Sequence, residues 1–214
     1  WEVAYHYQPA SVVSGDYCDL ISNSDHSLLF IIGDVSGKGV AAAMLMAHLQ
    51  AMVRTLTSFN LPLEDMLERA SRVFCESTLP THFATLACGK ASSSGAIEIS
   101  NAGHLPPLLL QQGKLKSVEA TGLPVGVFCS QHFSVDRFQM NQGDTLFLYT
   151  DGFSETRDGS GSEYGLGRLS EVLTENYDLA PKELITTCVK ELENFRAQDS
   201  LTDDLSLMAI QRVH

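Results

Sequence analysis

The sequence predicts an α+β fold in which antiparallel sheets carry pairs of helices on their outer faces. The first observation behind this prediction is the order of patterns along the chain, which runs strands, two helices, a long series of strands, two helices and a final strand. The second is that the helices come in pairs, whereas a doubly wound parallel sheet would alternate single helices with strands. Since no internal repeat or long linker divides the chain, residues 1–214 are expected to form one domain.

Seven short segments have the apolar composition of strands. Several of them are continuously apolar, as expected for strands that are covered on both faces. A Ser-Ser-Ser-Gly loop at 92–95 is predicted to join two of them as a hairpin. The predicted strands are 17–22, 27–32, 83–90, 96–100, 105–110, 145–150 and 205–210.

Apolar residues recur at the helical spacing in four further segments. Clear stripes run through residues 45–56, 63–74 and 184–195, and a weaker one runs through residues 166–173. Pro181 suits the first turn of the helix that carries the 184–195 stripe. The Met and Phe residues of these stripes are interpreted as core positions and not as cofactor contacts.

The composition is that of an ordinary globular protein, with 44% hydrophobic and 19% charged residues. The net charge of −12 argues against nucleic acid or an anionic membrane as a partner, because both require clustered Lys and Arg. No apolar run approaches the roughly 20 residues needed to span a bilayer, and no signal peptide opens the chain. The first residue is Trp1 and not Met, which suggests a piece cut from a longer protein.

The cysteines are odd in number and contain no Cys-x-x-Cys pair, so the sequence predicts neither a disulfide framework nor a zinc site. A reducing compartment, and hence the cytoplasm, is the expected location. The five cysteines are Cys18, Cys75, Cys88, Cys129 and Cys188.

Aspartate recurs at the ends of the predicted strands. Asp16 enters one strand, Asp34 leaves the next, Asp151 leaves a later one, and Asp203 with Asp204 precedes the last. Three of these four segments place Gly beside Asp, which lets the backbone turn tightly. Any one such segment is ordinary turn chemistry, but four with the same layout favour a shared function.

Two of these carboxylates are expected to face each other. Strands 17–22 and 27–32 flank a polar turn, and a hairpin centred near Ser24 or Asp25 pairs residues whose numbers sum to about 49 or 50. Asp16 then lies opposite Gly33 or Asp34. Since two like charges this close are costly alone, a divalent cation between them is the preferred interpretation.

A second pair follows the same logic. Asp151 follows an apolar strand and Asp203 precedes one, so both lie at the same edge if those strands are antiparallel neighbours. A site made only of carboxylates suits Mg²⁺ or Mn²⁺ and disfavours zinc. Two such ions about 4 Å apart can deprotonate a water and clamp phosphate oxygens, which permits hydrolysis of a phosphomonoester without a covalent intermediate.

These segments resemble the bacterial SpoIIE/RsbU-type serine phosphatases, a branch of the PP2C-like (PPM) superfamily. The matching segments follow the family order across nearly the whole chain, and the ordered set is far more specific than any one of them. They are SGDYCD at 14–19, GDVSGKG at 33–39, AAAM at 41–44, FAT at 83–85, NAGH at 101–104, GLPVG at 122–126, GD at 143–144, YTDG at 149–152 with Glu155, and DDLS at 203–206.

The resemblance implies a PP2C-like four-layer α-β-β-α sandwich, with two antiparallel sheets flanked by helix pairs. It implies that Asp34 bridges two Mn²⁺ or Mg²⁺ ions, that Val35 offers its backbone carbonyl, and that Asp16 binds one ion directly or through water. Asp151 and Asp203 would complete the other ion's shell, with Asp204 as a further ligand and room for a third ion. Asp34 and Asp151 would then act in catalysis through metal-bound water.

The resemblance also implies a substrate and partners. Members of this family remove phosphate from serine or threonine of anti-anti-sigma proteins of the STAS type, in bacterial signalling. An upstream sensory or receiver domain in the same chain is expected, and a homodimer is compatible with the family. Neither nucleic acid nor direct membrane contact is expected.

The sequence departs from the wider superfamily in two ways. Ser36 stands where eukaryotic PP2C relatives place a His with a proposed general-acid role, and no counterpart of their phosphate-binding Arg is evident. A Walker A site is rejected because Ile32 stands where its first Gly is required. An aspartyl-phosphate mechanism of the haloacid dehalogenase class is rejected because Tyr149 stands where the nucleophilic Asp is required.

Two further interpretations complete the prediction. His104 is interpreted as a hydrogen-bonded turn residue before Pro106, with proton transfer or substrate contact as the alternative. Asp19 and Glu155 are expected to be structural, and Asp144 to be a turn residue. The alternative function is a weakly active or inactive PP2C-like scaffold that binds a signalling partner, although such a scaffold would be expected to have lost its aspartates.

Overall fold

The structure is a computed structural model that describes residues 1–23, 25–196 and 201–213. Within these residues the chain forms strands β1 to β10 and helices α1 to α5. In chain order they are β1 (Glu2–Gln8), β2 (Asp16–Ser22), β3 (Leu28–Val35), α1 (Gly39–Thr57), α2 (Leu63–Ser77), β4 (Ala84–Ala91), β5 (Ala96–Ala102), β6 (Leu108–Gln111), β7 (Lys114–Ser117), β8 (Asp136–Gln139), β9 (Thr145–Tyr149), α3 (Asp151–Ser154), α4 (Gly165–Glu175), α5 (Pro181–Arg196) and β10 (Leu205–Gln211).

The strands form two five-stranded sheets in which all neighbouring strands are antiparallel, so the predicted α+β class is confirmed. The chain clusters into two compact units, and each contains one sheet. The terminal unit consists of Trp1–Ser11, Pro106–Val118 and Met140–His214, and the central unit consists of Val12–Leu105 and Glu119–Gln139. Neither unit is a continuous stretch of chain, and one domain for residues 1–214 stays a prediction.

The terminal unit has the strand order β1-β10-β9-β6-β7 together with α3, α4 and α5. Strands β9 and β10 are buried along their whole length, which explains why their sequences are continuously apolar. Helix α5 begins at Pro181 as predicted and buries Leu184, Cys188 and Leu192 of its apolar stripe.

The central unit has the strand order β2-β3-β4-β5-β8 together with α1 and α2. Its core contains residues from both helices and from the sheet, including Ile31, Leu49, Leu67, Phe74 and Leu86, all fully buried. The two predicted helical stripes thus provide one wall of this core and β3 with β4 the other.

The hairpin of β2 and β3 has the register that brings the first two aspartates together. Asp16 pairs with Asp34 across these strands, one of the two registers that the sequence predicts. Of the predicted turn, Ser24 lies outside the described residues.

Three strands are not predicted from the sequence, namely β1, β7 and β8. All three lie at sheet edges and alternate exposed with partly buried residues, so they lack the apolar run of the central strands. Strand β6 begins at Leu108 and not at Leu105, because Pro106 and Pro107 cannot donate to a ladder.

One prediction from the cysteines is wrong, because Cys75 and Cys129 form a disulfide within the central unit. They lie 54 residues apart in the sequence, and only the packing of α2 beside the loop at Cys129 brings them together. The remaining described cysteines, Cys18, Cys88 and Cys188, are free thiols. Burial, followed by the charges of nearby carboxylates, raises the pKa of Cys18 to about 12, so this thiol stays protonated at neutral pH.

Helix α1 is more apolar than the sequence analysis expected. Its 19 residues contain an 18-residue window with a mean hydropathy of 1.2, and 17% of that window is buried, so the helix meets the length and composition of a membrane span, against the prediction that no segment does. Both criteria are also met by helices that pack on a protein core, and Leu49 and Val53 of α1 are fully buried in the core of the central unit.

Candidate metal centre

The first candidate pair of ligands lies at the open end of the β2–β3 hairpin. Asp16 and Asp34 face each other across the two strands, and directly opposed residues project their side chains to the same face of a sheet. Asp16 is only 2% exposed, and its backbone N–H donates to Ser14 Oγ at 3.1 Å. The structure therefore brings these two predicted ligands together, with Asp16 buried and Asp34 partly exposed.

Gly15 shows that two of the predicted donor oxygens converge beside this pair. A Cβ at Gly15 would lie 3.2 Å from the Val35 carbonyl oxygen and 3.4 Å from Asp34 Oδ1. The Val35 N–H donates to the Gly15 carbonyl oxygen at 3.3 Å, which holds the two segments in place. The donors gathered here are oxygens only, so their chemistry fits Mg²⁺ or Mn²⁺.

The chain that leaves Asp34 and Val35 is fixed by Ser36. The Ser36 N–H donates to the Phe83 carbonyl at 2.9 Å, and Ser36 Oγ accepts from the Phe83 N–H at 3.0 Å. Gly37 and Gly39 then adopt φ of +102° and +71°, which turn the strand into α1 as the glycine cluster predicts. Ser36, which stands where the resemblance would place a general-acid His in eukaryotic PP2C proteins, thus ties the end of β3 to the start of β4.

His104 is buried and hydrogen-bonded, as its first interpretation expects. Its backbone N–H donates to Asn101 Oδ1 at 2.8 Å. Its ring Nδ1 lies 2.9 Å from Thr85 Oγ1, and Thr85 pairs with Asp34 across β3 and β4. No local sequence pattern indicates a role for Thr85, because the place of Thr85 opposite Asp34 depends on the β3–β4 register.

The second candidate pair lies in the terminal unit. Asp151 is the first residue of α3 and is separated from β9 by Thr150 alone, and β9 pairs with β10 as the hypothesis of neighbouring strands requires. A Cβ at Gly152 would overlap the Asp204 carbonyl oxygen and lie 3.2 Å from that of Asp203. The structure therefore places the backbone that follows Asp151 against the segment that carries Asp203 and Asp204.

Hydrogen bonds fix the Asp203–Asp204 segment to the end of β9. Thr150 Oγ1 donates to the Asp204 carbonyl at 3.3 Å, and it accepts from the Ser206 N–H at 3.0 Å. Asp204 Oδ1 accepts from the Ala10 N–H at 2.8 Å, so this carboxylate has a structural partner. Asp203 Oδ1 accepts from the Asp204 N–H at 3.0 Å.

Asp19 has the structural role that the sequence analysis expects. Arg54 of α1 donates to both of its carboxylate oxygens, from Nε at 2.8 Å and from Nη2, and the Tyr17 hydroxyl donates at 3.3 Å. Burial, with the Asp19 charge second, raises the pKa of Tyr17, so this hydroxyl keeps the proton that it donates. Asp19 thus joins α1 to β2.

Asp144 behaves as expected, whereas the structural role of the Glu155 side chain stays a prediction. Asp144 Oδ2 accepts from the Asn141 N–H at 2.7 Å and from Gln111 Nε2 at 2.6 Å, as a turn residue does. The Glu155 N–H donates to the Asp151 carbonyl at 2.7 Å and closes the short helix α3.

Within the described part of the chain, no group of three or more His, Cys, Asp or Glu side chains is arranged to hold a metal ion. In the central unit Asp34 Oδ1 lies near the Val35 carbonyl oxygen, and in the terminal unit the backbone after Asp151 lies against the carbonyl oxygens of Asp203 and Asp204. Metal binding by Asp16, Asp34, Val35, Asp151, Asp203 and Asp204 therefore stays a prediction, and the donor types fit it.

Comparison with known proteins gives a family match over most of the chain. A family model described as stage II sporulation protein E (SpoIIE) matches residues 24–213. Protein IcfG of Synechocystis sp. is 28% identical over 241 residues, which cover 99% of this chain and 38% of IcfG. Phosphoserine phosphatase RsbU of Bacillus subtilis is 26% identical over 212 residues, which cover 95% of this chain and 61% of RsbU. The chain thus spans less than two thirds of either relative.

Solved structures share the fold. The RsbU and RsbW domains of Rv1364c from Mycobacterium tuberculosis match with a TM-score of 0.85 and 28% identity, over 99% of this chain and 60% of that one. The PP2C phosphatase domain of SpoIIE from Bacillus subtilis, with a fragment of its regulatory domain, matches with a TM-score of 0.85 and 17% identity, over 100% of this chain and 63% of that one. These matches confirm the PP2C-like fold.

Proposed function

The chain belongs to the SpoIIE family, and from that membership we propose that it is a metal-dependent protein phosphatase that acts on phosphoserine or phosphothreonine. The family relationship supports a serine phosphatase of bacterial signalling, since RsbU is a phosphoserine phosphatase by name. One observation of the molecule carries the proposal. Asp16 faces Asp34 across the β2–β3 hairpin, while Asp34 Oδ1 and the Val35 carbonyl oxygen meet beside Gly15.

The proposed ligands are Asp16, Asp34 and Val35 in the central unit, and Asp151, Asp203 and Asp204 in the terminal unit. When bound, two Mn²⁺ or Mg²⁺ ions, with room for a third, supply a hydroxide at neutral pH and neutralise phosphate oxygens. The chain's own contribution is to orient these oxygens. Gly15 leaves space beside the Asp34 carboxylate, Ser36 ties the end of β3 to Phe83, and Thr150 fixes the Asp203–Asp204 segment.

The proposed substrate is a phosphorylated STAS-type anti-anti-sigma protein in the cytoplasm, where reducing conditions would act on the Cys75–Cys129 disulfide. The relationship to RsbU supports a regulatory partner in a sigma-factor pathway, and the match to the RsbU and RsbW domains of Rv1364c supports the same kind of pathway. A sensory or receiver domain upstream in the same protein, and a homodimer, belong to this proposal.

A test compares Asp34→Asn and Asp151→Asn with the wild type in the hydrolysis of an aryl phosphate at millimolar Mn²⁺. Each substitution removes the charge of a proposed ligand. Activity should therefore fall about 100-fold or more, since loss of a group that only orients a metal ligand already costs up to about 100-fold. The matched controls are Asp65→Asn in the central unit and Asp178→Asn in the terminal unit, which remove exposed carboxylates outside both pairs. Undiminished activity in either ligand variant would overturn the proposal.

The alternative function is a weakly active or inactive scaffold that binds a signalling partner. Such a scaffold would be expected to have lost the aspartates, and this chain keeps Asp16, Asp34, Asp151, Asp203 and Asp204. Calorimetric titration with Mn²⁺ separates the two functions, because a scaffold gives no binding event that depends on Asp34.

A further inference from the structure

A single hydroxyl group lies between the buried ring of His104 and the backbone of Asp34. Thr85 pairs with Asp34 across β3 and β4. Its Oγ1 is 3.5 Å from the Asp34 carbonyl oxygen and 2.9 Å from His104 Nδ1. This chain of contacts lies wholly within the central unit.

The direction of these bonds follows from the hydrogens that each group carries. A threonine hydroxyl has one hydrogen to donate and can accept others. If the His104 tautomer has its hydrogen on Nδ1, the ring donates to Thr85 Oγ1, and the Thr85 hydrogen is available to the Asp34 carbonyl. In that arrangement the ring directs the Thr85 hydrogen toward the Asp34 carbonyl, and this weak contact of 3.5 Å adds to the pairing of β3 with β4.

The turn that carries His104 is itself held firmly. The Asn101 N–H donates to Thr121 Oγ1 at 2.9 Å, and the Asn101 carbonyl accepts from the N–H groups of Thr121 and Gly122 at 2.8 and 3.1 Å. Gly103 has φ of +67°, and a Cβ there would lie 2.7 Å from the Pro124 ring. Segment 101–104 is therefore fixed against segment 121–124.

The second of these segments is bound to the start of β4. Ala84 and Val125 exchange hydrogen bonds, from the Ala84 N–H at 2.9 Å and from the Val125 N–H at 2.8 Å. Ala84 and Thr85 are the residues that face Val35 and Asp34. The NAGH and GLPVG motifs thus both contact β4 next to Asp34 and Val35, two of the residues proposed to bind metal in this unit.

We infer that Thr85 and His104 are positioning residues that hold the backbone of Asp34 in the orientation that metal binding requires. The inference rests on the proposed function, since it concerns ligands of the proposed metal centre. The inference differs from a purely structural role for His104. A structural role requires only the backbone contact of His104 with Asn101. In that case, removal of the Thr85 hydroxyl would not change the affinity for metal.

The test measures the dissociation constant of Mn²⁺ alone by calorimetry, together with thermal stability, for the whole 214-residue chain. Thr85→Val removes the hydroxyl and preserves the shape of the side chain, so the constant should rise about 10- to 100-fold, as for other groups that orient metal ligands. Thr85→Ser keeps the hydroxyl and should restore wild-type affinity. Thr55→Val, which removes an exposed hydroxyl of α1 bonded to Ala51, is the matched control and should leave the constant unchanged.

The outcomes distinguish a failure of the inference from a failure of the proposed function. Wild-type affinity in Thr85→Val would overturn the inference and leave the proposed function standing. A wild-type chain that binds no Mn²⁺ would overturn both. If Thr85→Val does not fold, His104→Asn removes the ring partner of Thr85 and takes its place, with the same expected loss and the same contrary result.

Discussion

At the scale of single residues, Gly152 is the position with the least room for a side chain. A Cβ there would overlap the carbonyl oxygen of Asp204, which belongs to a backbone segment fixed by Thr150. Gly152 therefore sets how close the Asp151 turn comes to the Asp203–Asp204 segment. Its role is steric, because it removes the one atom that would separate two carboxylate-bearing segments.

We therefore predict that Gly152→Ala destabilises the chain by about 1–3 kcal/mol, the usual cost of forcing extra atoms into a packed site. Chemical denaturation would measure the loss. Gly159→Ala is the matched control, since a Cβ at Gly159 has nothing within 4 Å and should leave the free energy of unfolding nearly unchanged. Equal stability of the two variants would contradict this account of Gly152.

Residue positions could be predicted from the sequence where local rules determine them. The facing of Asp16 and Asp34 follows from the two-residue period of strands and the position of a polar turn. The contact of Thr85 with His104 could not be predicted in this way, because it depends on how β3 pairs with β4 and on a separate turn. The convergence at Gly15 likewise depends on the backbone of two strands and not on any motif.

At the scale of elements, the disulfide joins α2 to the loop that follows the GLPVG segment. Cys75 lies on α2, and Cys129 follows a segment whose Val125 pairs with Ala84 at the start of β4. The covalent bond thus connects a helix of the central core with the loop behind the proposed ligands. Sequence patterns could predict α2 from its stripe, but they carry no sign of this long-range bond.

We predict that reduction of this disulfide lowers the thermal midpoint. Loop closure over 54 residues gives about 4 kcal/mol at most, and typical measured values are about 2–4 kcal/mol. For a chain of this size that corresponds to a fall of roughly 5–15 °C. Calorimetry with and without reductant would measure it, and the double variant Cys75→Ser with Cys129→Ser should have the low midpoint under both conditions.

A count of reactive thiols can contradict the presence of the disulfide. Unreduced, denatured chain should show the three free thiols of Cys18, Cys88 and Cys188. Five reactive thiols under these conditions would contradict the bond.

Edge strands show where element prediction stops. Strand β8 has the sequence Asp-Arg-Phe-Gln and is mostly exposed, so hydrophobic periodicity does not reveal it. It is a strand because β5 offers it an edge, and Ile97 pairs with Phe138 there. The inner strands β3 and β9, by contrast, are visible from composition alone, because they are buried along most or all of their length.

At the scale of the whole molecule, the net charge of −12 means that cations act on stability in two ways. Any salt screens the repulsion among surface carboxylates. Specific binding adds a further term that depends on ligand concentration and on the native site. The two terms are separable, because under the proposed function only the second would require Asp34.

We predict that Mn²⁺ raises the thermal midpoint beyond what screening gives. At free Mn²⁺ of about 100 times the dissociation constant, binding adds about 2.7 kcal/mol. In a chain of this size that corresponds to roughly 5–10 °C. Differential scanning calorimetry would measure the shift against NaCl of equal ionic strength, and Asp34→Asn should keep only the shift due to screening. A shift of equal size in NaCl would contradict specific binding.

The pairing of β1 with β10 has a consequence for synthesis of the chain. Glu2 pairs with Gln211, so β1 leaves the ribosome about 200 residues before the partner strand that covers it. The central unit needs nothing beyond Gln139 and can assemble earlier. During that interval β1 is an unpaired strand with Tyr5 and Tyr7 on it, the kind of exposed edge that invites aggregation. Slow translation of the segment between Gln139 and β10 would therefore prolong the stage at which β1 is most exposed to misassembly.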